Sequence, residues 1–382
     1  MQLTTFKYRL YPTKAQERLM TQTLDVCRHW YNMCLEDRKL AWALEQRHVN
    51  KSDQEKTGIH YRKTFPKAKA VFSQTMQMVC ADVDKAFKAF FRRVKALQTA
   101  GYPRFKGKQH FDSFGFKQYG LGITLDGRRL KLFGIGRVRG RWHRAIKGTI
   151  KTARICRSAG KWYVCFSCEI SDPTPLPKTG ALVGIDVGIS ALMTTSDGLK
   201  VDNPRWYRKS QHDLKLAQRG LQRKHKGSKN RRKALLTVQR IYDHVVNQRG
   251  DYLNKIVHEL VHDHDLIAVE DLRIANMVRN HKLSKSILDA GWGYFRQRLT
   301  SKAVNAGRDL VFVNPAYTSK CCSNCGNEFE KFDLSVRWVD CQHCGLSLDR
   351  DHNAAINLLN RAIYGWDTSV QPNVEASSSC VL

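Results

Sequence analysis

A chain of 382 residues with 65 Lys and Arg against 34 Asp and Glu has a formal net charge of +31, which points to a polyanionic partner, nucleic acid ahead of an anionic membrane. The 42 % hydrophobic content, with 8 Trp, 13 Tyr and 16 Phe, excludes a mainly disordered chain, and the length leaves room for two or three domains. No apolar run approaches the roughly 20 residues that span a bilayer, and the opening MQLTTFKYRLYPTK lacks the apolar segment of a secretory signal.

Residues 3–11 alternate as a strand. Pro12-Thr13 opens a helix, with Thr13 and Gln16 in capping-box positions. Leu19, Leu24, Cys27, Tyr31, Cys34 and Leu35 continue it at helical spacing. The polar run 51–58 breaks the pattern. A second long helix is predicted over 67–97, with Phe72, Met76, Val79, Val83, Ala86 and Phe90 on one face. From Gly101 glycine and aromatic content rise, so 111–172 reads as short strands with a turn at Asp126-Gly127. Twelve Lys and Arg against Asp112 and Asp126 give 101–150 a local charge of +10. Three prolines in 171–179 mark a linker.

Residues 181–202 read as three strands with a turn at Ser196-Asp197-Gly198. Two long helices are predicted over 205–262, joined at 226–230. A short apolar strand over 266–270 ends in Glu270. A helix at 292–306, a strand at 310–314 and a helix from Asp349 to Tyr364 complete the order. Residues 203–240 hold thirteen Lys and Arg against Asp213, a local +12. A solvated helix usually mixes both signs. Contact with a nucleic-acid backbone is therefore expected there, through Arg223, Lys224, Arg231, Arg232 and Lys233.

The twelve cysteines are not a disulfide framework, because five crowd into 24 residues and the rest are scattered. Cys322 and Cys325, then Cys341 and Cys344, form two CxxC knuckles that suit a closed, structural Zn²⁺ site. Gly326 and Gly345 supply the permissive backbone that each knuckle needs. Cys165 and Cys168 share the spacing but sit in a strand pattern, where residues three apart face opposite ways.

Asp186 stands in an apolar strand between Gly184 and Gly188. Such an acid is costly to bury unless it is paired or binds a cation. Glu270 ends another apolar strand, and Asp349 and Asp351 open the last helix. Each acid alone could be a turn or cap residue. Together they match the layout of an RNase H-like nuclease, in which clustered carboxylates hold two Mg²⁺ (or Mn²⁺) about 3.5–4 Å apart.

The segments GIDVGISALMTTSDG, AVEDLRIANMVRN and LSKSILDAGWGYFRQRL, the four-cysteine ribbon and LDRDHNAAINLL resemble the RuvC-type half of the TnpB proteins. These are transposon-encoded RNA-guided DNA endonucleases related to the type V CRISPR effectors. FKYRLYPTKAQE and GYPRFKGKQHFDSFGF are also similar, so the resemblance spans roughly residues 3–362. It places the three catalytic acids on Asp186, Glu270 and Asp351, with Asp351 ahead of Asp349.

The resemblance implies an α+β multidomain fold. A β-barrel-like wedge domain (1–12 and 101–178) would be interrupted by a helical recognition domain (13–100). An RNase H-like RuvC domain (179–317 and 348–364) would carry an inserted zinc ribbon (318–347), followed by a disordered tail (365–382). It also implies a guide RNA from the transposon end and a double-stranded DNA target cut beside a short flanking motif. Gln74 and Gln77 are candidate readers of that motif. The expected protein is a monomer in a ribonucleoprotein of the prokaryotic cytoplasm, associated with the nucleoid and not with membrane. The alternatives are a guide-dependent DNA binder without cleavage and a DDE-type transposase.

Overall fold

The computed structural model describes residues 1–330, 333 and 335–365. The predicted tail lies outside them, Gly365 excepted. The chain divides into two units, Met1–Asp172 and Pro173–Leu382.

The first unit begins with β1 (Gln2–Tyr11) and α1 (Lys14–Glu45). Thr13 accepts from the Gln16 N–H, and the Gln16 side chain returns to the Thr13 N–H, so the capping box is formed. Leu19 is exposed, whereas the other predicted apolar positions of this helix are buried.

The polar run that should break the pattern is instead a helix, α2 (Lys51–Thr64). A second capping box, between Asn50 and Asp53, starts it. Its buried face is polar but satisfied. Gln54 donates to the Cys34 carbonyl at 2.6 Å and accepts from Arg38 at 3.1 Å. Gly58 faces Trp30, where a Cβ would lie 3.2 Å from the indole. Hydrophobic periodicity does not detect a face built this way.

The long helix expected over 67–97 is two, α3 (Pro66–Lys69) and α4 (Ser73–Lys95). The break puts Phe72 outside the helix, with its ring 5.3 Å from Phe133 and 6.1 Å from Phe116. On α4 the buried face is Thr75, Met76, Val79, Cys80, Val83 and Phe87.

Six strands follow: β2 (Ser113–Phe116), β3 (Ile123–Asp126), β4 (Arg129–Leu132), β5 (Gly136–Arg141), β6 (Thr149–Ser158) and β7 (Lys161–Ile170). With β1 they form one antiparallel near-barrel sheet in the order β2-β6-β7-β1-β5-β4-β3. Its inner face joins the buried faces of α1, α2 and α4 in a single core, which contains Tyr8, Trp30, Phe114, Trp162 and Phe166. Cys165 and Cys168 fall at alternate burial on β7, and both are free.

The second unit starts with β8 (Leu182–Val187), β9 (Ala191–Thr195) and β10 (Lys200–Asp202). Two long helices follow, α5 (Trp206–Gln222) and α6 (Lys229–Asp263). Leu214 is the one buried residue of α5, and the burial on α6 lies mostly in Leu253–Val261. The α5–α6 tip is therefore thinly packed. Next come β11 (Leu266–Glu270), α7 (Ile274–Met277), α8 (Ser284–Ala290), α9 (Trp292–Ala306) and β12 (Asp309–Val313). The helices α7 and α8 were not expected, being too short to show a period. Strands β13 (Trp338–Asp340) and β14 (Ser347–Asp349) lie in the cysteine region, and α10 (Arg350–Tyr364) ends the described chain.

The main sheet of this unit has the order β10-β9-β8-β11-β12. Its β8, β9 and β10 are antiparallel, and β8, β11 and β12 are parallel. Among the described residues no helix is long and apolar enough to cross a membrane.

Candidate functional site

The parallel register of β8 with β11 pairs Ile185 with Val269. One step further along each strand stand Asp186 and Glu270. The two carboxyls are hydrogen-bonded, and the Val187 N–H also points at Glu270. Burial, then the charges of Glu270 and Asp351, push Asp186 well above the usual carboxylate range. Burial first, with Asp351 adding to it, pushes Glu270 up to about 7. The two carboxyls are coupled, so the pair, and not either acid alone, resists losing its last proton.

Asp351 arrives from the first turn of α10. Asp349 is the N-cap there and accepts from the N–H groups of Asp351 and His352, both at 3.1 Å. It also pairs with Lys200 at 2.6 Å. That cap role leaves Asp351 as the acid facing Asp186 and Glu270. Two cations were not foreseen from the sequence: Arg350 lies 3.5 Å and Arg337 3.7 Å from the Asp351 carboxylate. Asp271, next to Glu270, faces elsewhere and pairs with Arg296 at 2.6 Å.

A missing side chain lets the helix that carries Asp351 come close to the strand that carries Asp186. A Cβ on Gly184 would lie 2.0 Å from the Ala355 carbonyl oxygen and 2.8 Å from the Leu359 nitrogen. Backbone of α10 thus rests directly on β8, two residues before Asp186.

In the ribbon, the Sγ atoms of Cys322, Cys325, Cys341 and Cys344 lie within 4.8 Å of one another. Two of the separations are 3.6 Å and 3.5 Å. Tetrahedral zinc with bonds of about 2.3 Å places its sulfurs about 3.8 Å apart, so the set fits Zn²⁺. Gly326 and Gly345 have φ of 75° and 72°, the conformation in which a side chain is strained. Backbone N–H groups of Asn327 and Leu346 point at Cys325 and Cys344. The Asn324 side chain and that Leu346 N–H hold Cys344 down to about 6, while burial pushes Cys325 up to about 12. Cys321 stays outside the set, in a β-bridge to Glu328. Among the described residues this is the only group that brings three or more such ligand atoms so close.

The ribbon is tied to α10 by three asparagines at helical spacing, a signal present in NAAINLLN but not read from it. Asn353 accepts from the Ser323 N–H and donates to the Cys321 carbonyl, both at 2.8 Å. Asn357 donates to the Thr318 and Cys321 carbonyls. Asn360 reaches the Ser323 carbonyl at 3.4 Å.

The remaining candidates stand on other elements. Arg223, Lys224, Arg232 and Lys233 are exposed at the α5–α6 tip. Arg231 donates to the Leu221 and Lys224 carbonyls at 2.9 and 3.1 Å, so it staples that turn. Gln74 and Gln77 are half-buried on α4, and the Gln74 Oε1 is buried with no hydrogen bond among the described residues.

Three family models match the chain: "Probable transposase" over 165–281, "Cas12f1-like, TNB domain" over 292–358 and "Helix-turn-helix domain" over 1–47. A "Putative RNA-guided DNA endonuclease" of Streptomyces pristinaespiralis is 34 % identical, over 97 % of this chain and 93 % of the relative. A protein of the same name, InsQ of Escherichia coli K12, is 30 % identical over 94 % and 92 %. The solved structure of CasPhi-2 (Cas12j) bound to crRNA has a TM-score of 0.52 at 9 % identity, covering 97 % of this chain and 99 % of that one. That likeness speaks to the fold alone. With two curated relatives aligned over nearly their whole length, the chain belongs to the TnpB family of RNA-guided DNA endonucleases.

Proposed function

We infer that this protein is an RNA-guided DNA endonuclease whose cutting centre is the group Asp186, Glu270 and Asp351. The observation that carries the reading is the hydrogen-bonded Asp186–Glu270 pair, with Asp351 facing it, inside a chain of net charge +31. A sheet with three antiparallel strands followed by two parallel ones, and the acids on the central pair and a late helix, supports an RNase H-like (RuvC) reading. The first unit's sheet and helices correspond to the wedge and recognition domains in this reading.

An all-oxygen donor set suits hard cations such as Mg²⁺ or Mn²⁺. Two such ions, when bound, supply an activated water and charge stabilisation for phosphodiester hydrolysis. The Asp186–Glu270 pair has to be fully deprotonated before both acids can act as ligands. Glu270 keeps its orientation through the Val187 N–H. Arg350 and Arg337 offset part of the charge on Asp351. The ribbon, held by zinc, braces α10 through Asn353 and Asn357.

The test is direct. Purified with its own RNA, the protein cuts a plasmid that carries the guide-matched sequence, and RNase or a chelator of divalent metal stops it. Cutting that survives RNase rejects guide dependence, and cutting that survives chelation rejects the metal centre. Guide-dependent binding with no cut at millimolar Mg²⁺ would revive the binder reading, and strand joining without RNA the transposase.

The first unit supports the RNA partner through its strand register. On the outer sheet face Arg9 opposes Arg141, Arg129 opposes Arg139 and Lys131 opposes Arg137. Like charges directly opposite are destabilising, by roughly 0.2–1 kcal/mol a pair. Asp126 answers one of them, through Arg137 at 2.9 Å. Arg9 lies over the rings of Tyr11 and Tyr163, at 5.4 and 5.1 Å, and Lys7 over Tyr163 at 4.2 Å. Cations interleaved with rings on a sheet face suit phosphates with stacked bases. Replacing Arg139 and Arg141 by Gln is expected to raise the melting temperature of RNA-free protein slightly. The same change lowers the salt slope of RNA binding by about 1–2. An unchanged slope removes this face from the RNA site.

A further inference from the structure

The β9–β10 turn and the first turn of α10 are joined at two points, neither of which belongs to the carboxylate set. The Nε2–H of His352 donates to the Ser196 carbonyl at 3.1 Å. Lys200, just past the turn, pairs with Asp349 at 2.6 Å. The turn in turn is fixed to β8. The Ser196 N–H donates to the Gly184 carbonyl at 2.9 Å, and the Gly184 N–H donates to the Ser196 Oγ at 3.0 Å. A short path of bonded groups therefore runs from β8, two residues before Asp186, through Ser196 to His352, one residue after Asp351.

The seat for the imidazole is specific. Gly198 has φ +87°, and a Cβ there would lie 3.2 Å from the His352 Cε1. A side chain at this position would both strain the turn and push the ring away. Thr195 holds the turn from within, through its hydroxyl to Asp197 and from the Leu199 N–H at 3.1 Å.

We propose that His352, seated on Gly198 and bonded to the Ser196 carbonyl, is a positioning residue that sets where the Asp351 carboxylate stands relative to Asp186, with Lys200–Asp349 as the second strut. The proposal rests on the reading of the three acids as the cutting centre. His352 touches neither substrate nor metal in this scheme. It acts by removing rotational freedom from the first turn of α10, where Asp351 is otherwise held by its helix cap and two arginines. Groups that orient metal ligands are typically worth 10–100-fold in metal affinity or activity.

The test uses the full chain and Mn²⁺ as the probe. Mn²⁺ binding is followed by electron paramagnetic resonance, alongside plasmid cutting by the RNA-loaded protein at graded Mg²⁺. In H352A both midpoints rise about tenfold or more, and saturating Mg²⁺ restores much of the cutting rate. The H352Q variant, whose amide can still donate to the Ser196 carbonyl, recovers most of the loss. G198A repeats the H352A result with the imidazole still present. Melting temperature and zinc content of each variant show whether the unit and the ribbon remain intact.

Unchanged midpoints in H352A overturn the proposal, as does an H352Q variant no better than H352A. A loss of rate at every Mg²⁺ concentration with an unchanged Mn²⁺ midpoint also overturns it. Failure of the underlying reading looks different: D186A would then bind Mn²⁺ as tightly as the parent.

Discussion

In D186N, guide-directed cutting falls at least about a hundredfold, while the metal-free protein becomes more stable at neutral pH. The first part follows because even outer partners of metal ligands are worth about 10–100-fold, and Asp186 is proposed as a ligand itself. The second follows from proton linkage. The folded-state pKa values of Asp186 and Glu270 lie above their unfolded values. Between the two values the folded chain binds more protons than the unfolded one, so stability falls as pH rises. For Glu270 the window runs from the ordinary 4.5 to about 7. The corresponding loss is up to about 3 kcal/mol by the end of that window. Asparagine cannot ionise, yet it can still donate to Glu270, so the variant escapes the part of the loss that comes from Asp186 while Glu270 keeps its own. Thermal melts in a chelator at pH 5.5 and 7.5 measure this. The parent should lose stability between the two, D186N should lose less, and Mg²⁺ should restore the parent mainly at 7.5. If D186N is less stable than the parent at pH 7.5 without metal, the two carboxyls are not a strained buried pair.

The cost of burying an acid is also what makes these residues stand out in the sequence. An acid in an apolar strand breaks the local pattern, and Asp186 and Glu270, which that break singles out, are the two that meet in the fold. The zinc ligands were legible because two knuckles of fixed spacing have few other uses. What stayed hidden was satisfied by backbone or by absent atoms. The α2 helix escaped notice because its buried face is Gln54, Gly58 and Tyr61, with polar atoms fully bonded and a glycine making room for Trp30. The break between α3 and α4 depends on where Phe72 finds its aromatic partners, a tertiary preference that overrides helical spacing. Arg337 is separated from Asp351 by the second knuckle and meets it only after the ribbon folds. The asparagine stripe on α10 was readable in principle, since positions 353, 357 and 360 share one helical face. Hydrophobic periodicity does not reveal it, because asparagines in a helix carry no apolar period.

Gly184→Ala tests the other half of the site, its geometry. Gly184 stands two residues before Asp186, and the α10 backbone packs against it, with the Ala355 carbonyl 2.0 Å from the missing Cβ. A carbonyl oxygen in a helix cannot swing aside as a side-chain tip can. The helix itself must move, by about 1 Å or more, to reach ordinary contact. Overpacking of this kind costs about 1–3 kcal/mol. Displacing a catalytic group by about 1 Å can cost about a hundredfold in rate. Asp351 and its arginines travel with α10, so the expected result is a folded, zinc-loaded protein with a hundredfold slower cut and weaker Mn²⁺ binding. Stability here falls with activity, the opposite sign to D186N. Gly220→Ala in α5, where nothing lies within 4 Å of the new Cβ, is the control and should leave cutting unchanged. A G184A protein that cuts at the parent's rate would mean that β8 and α10 can separate without moving Asp351. Backbone closeness would then not be what assembles the three carboxylates.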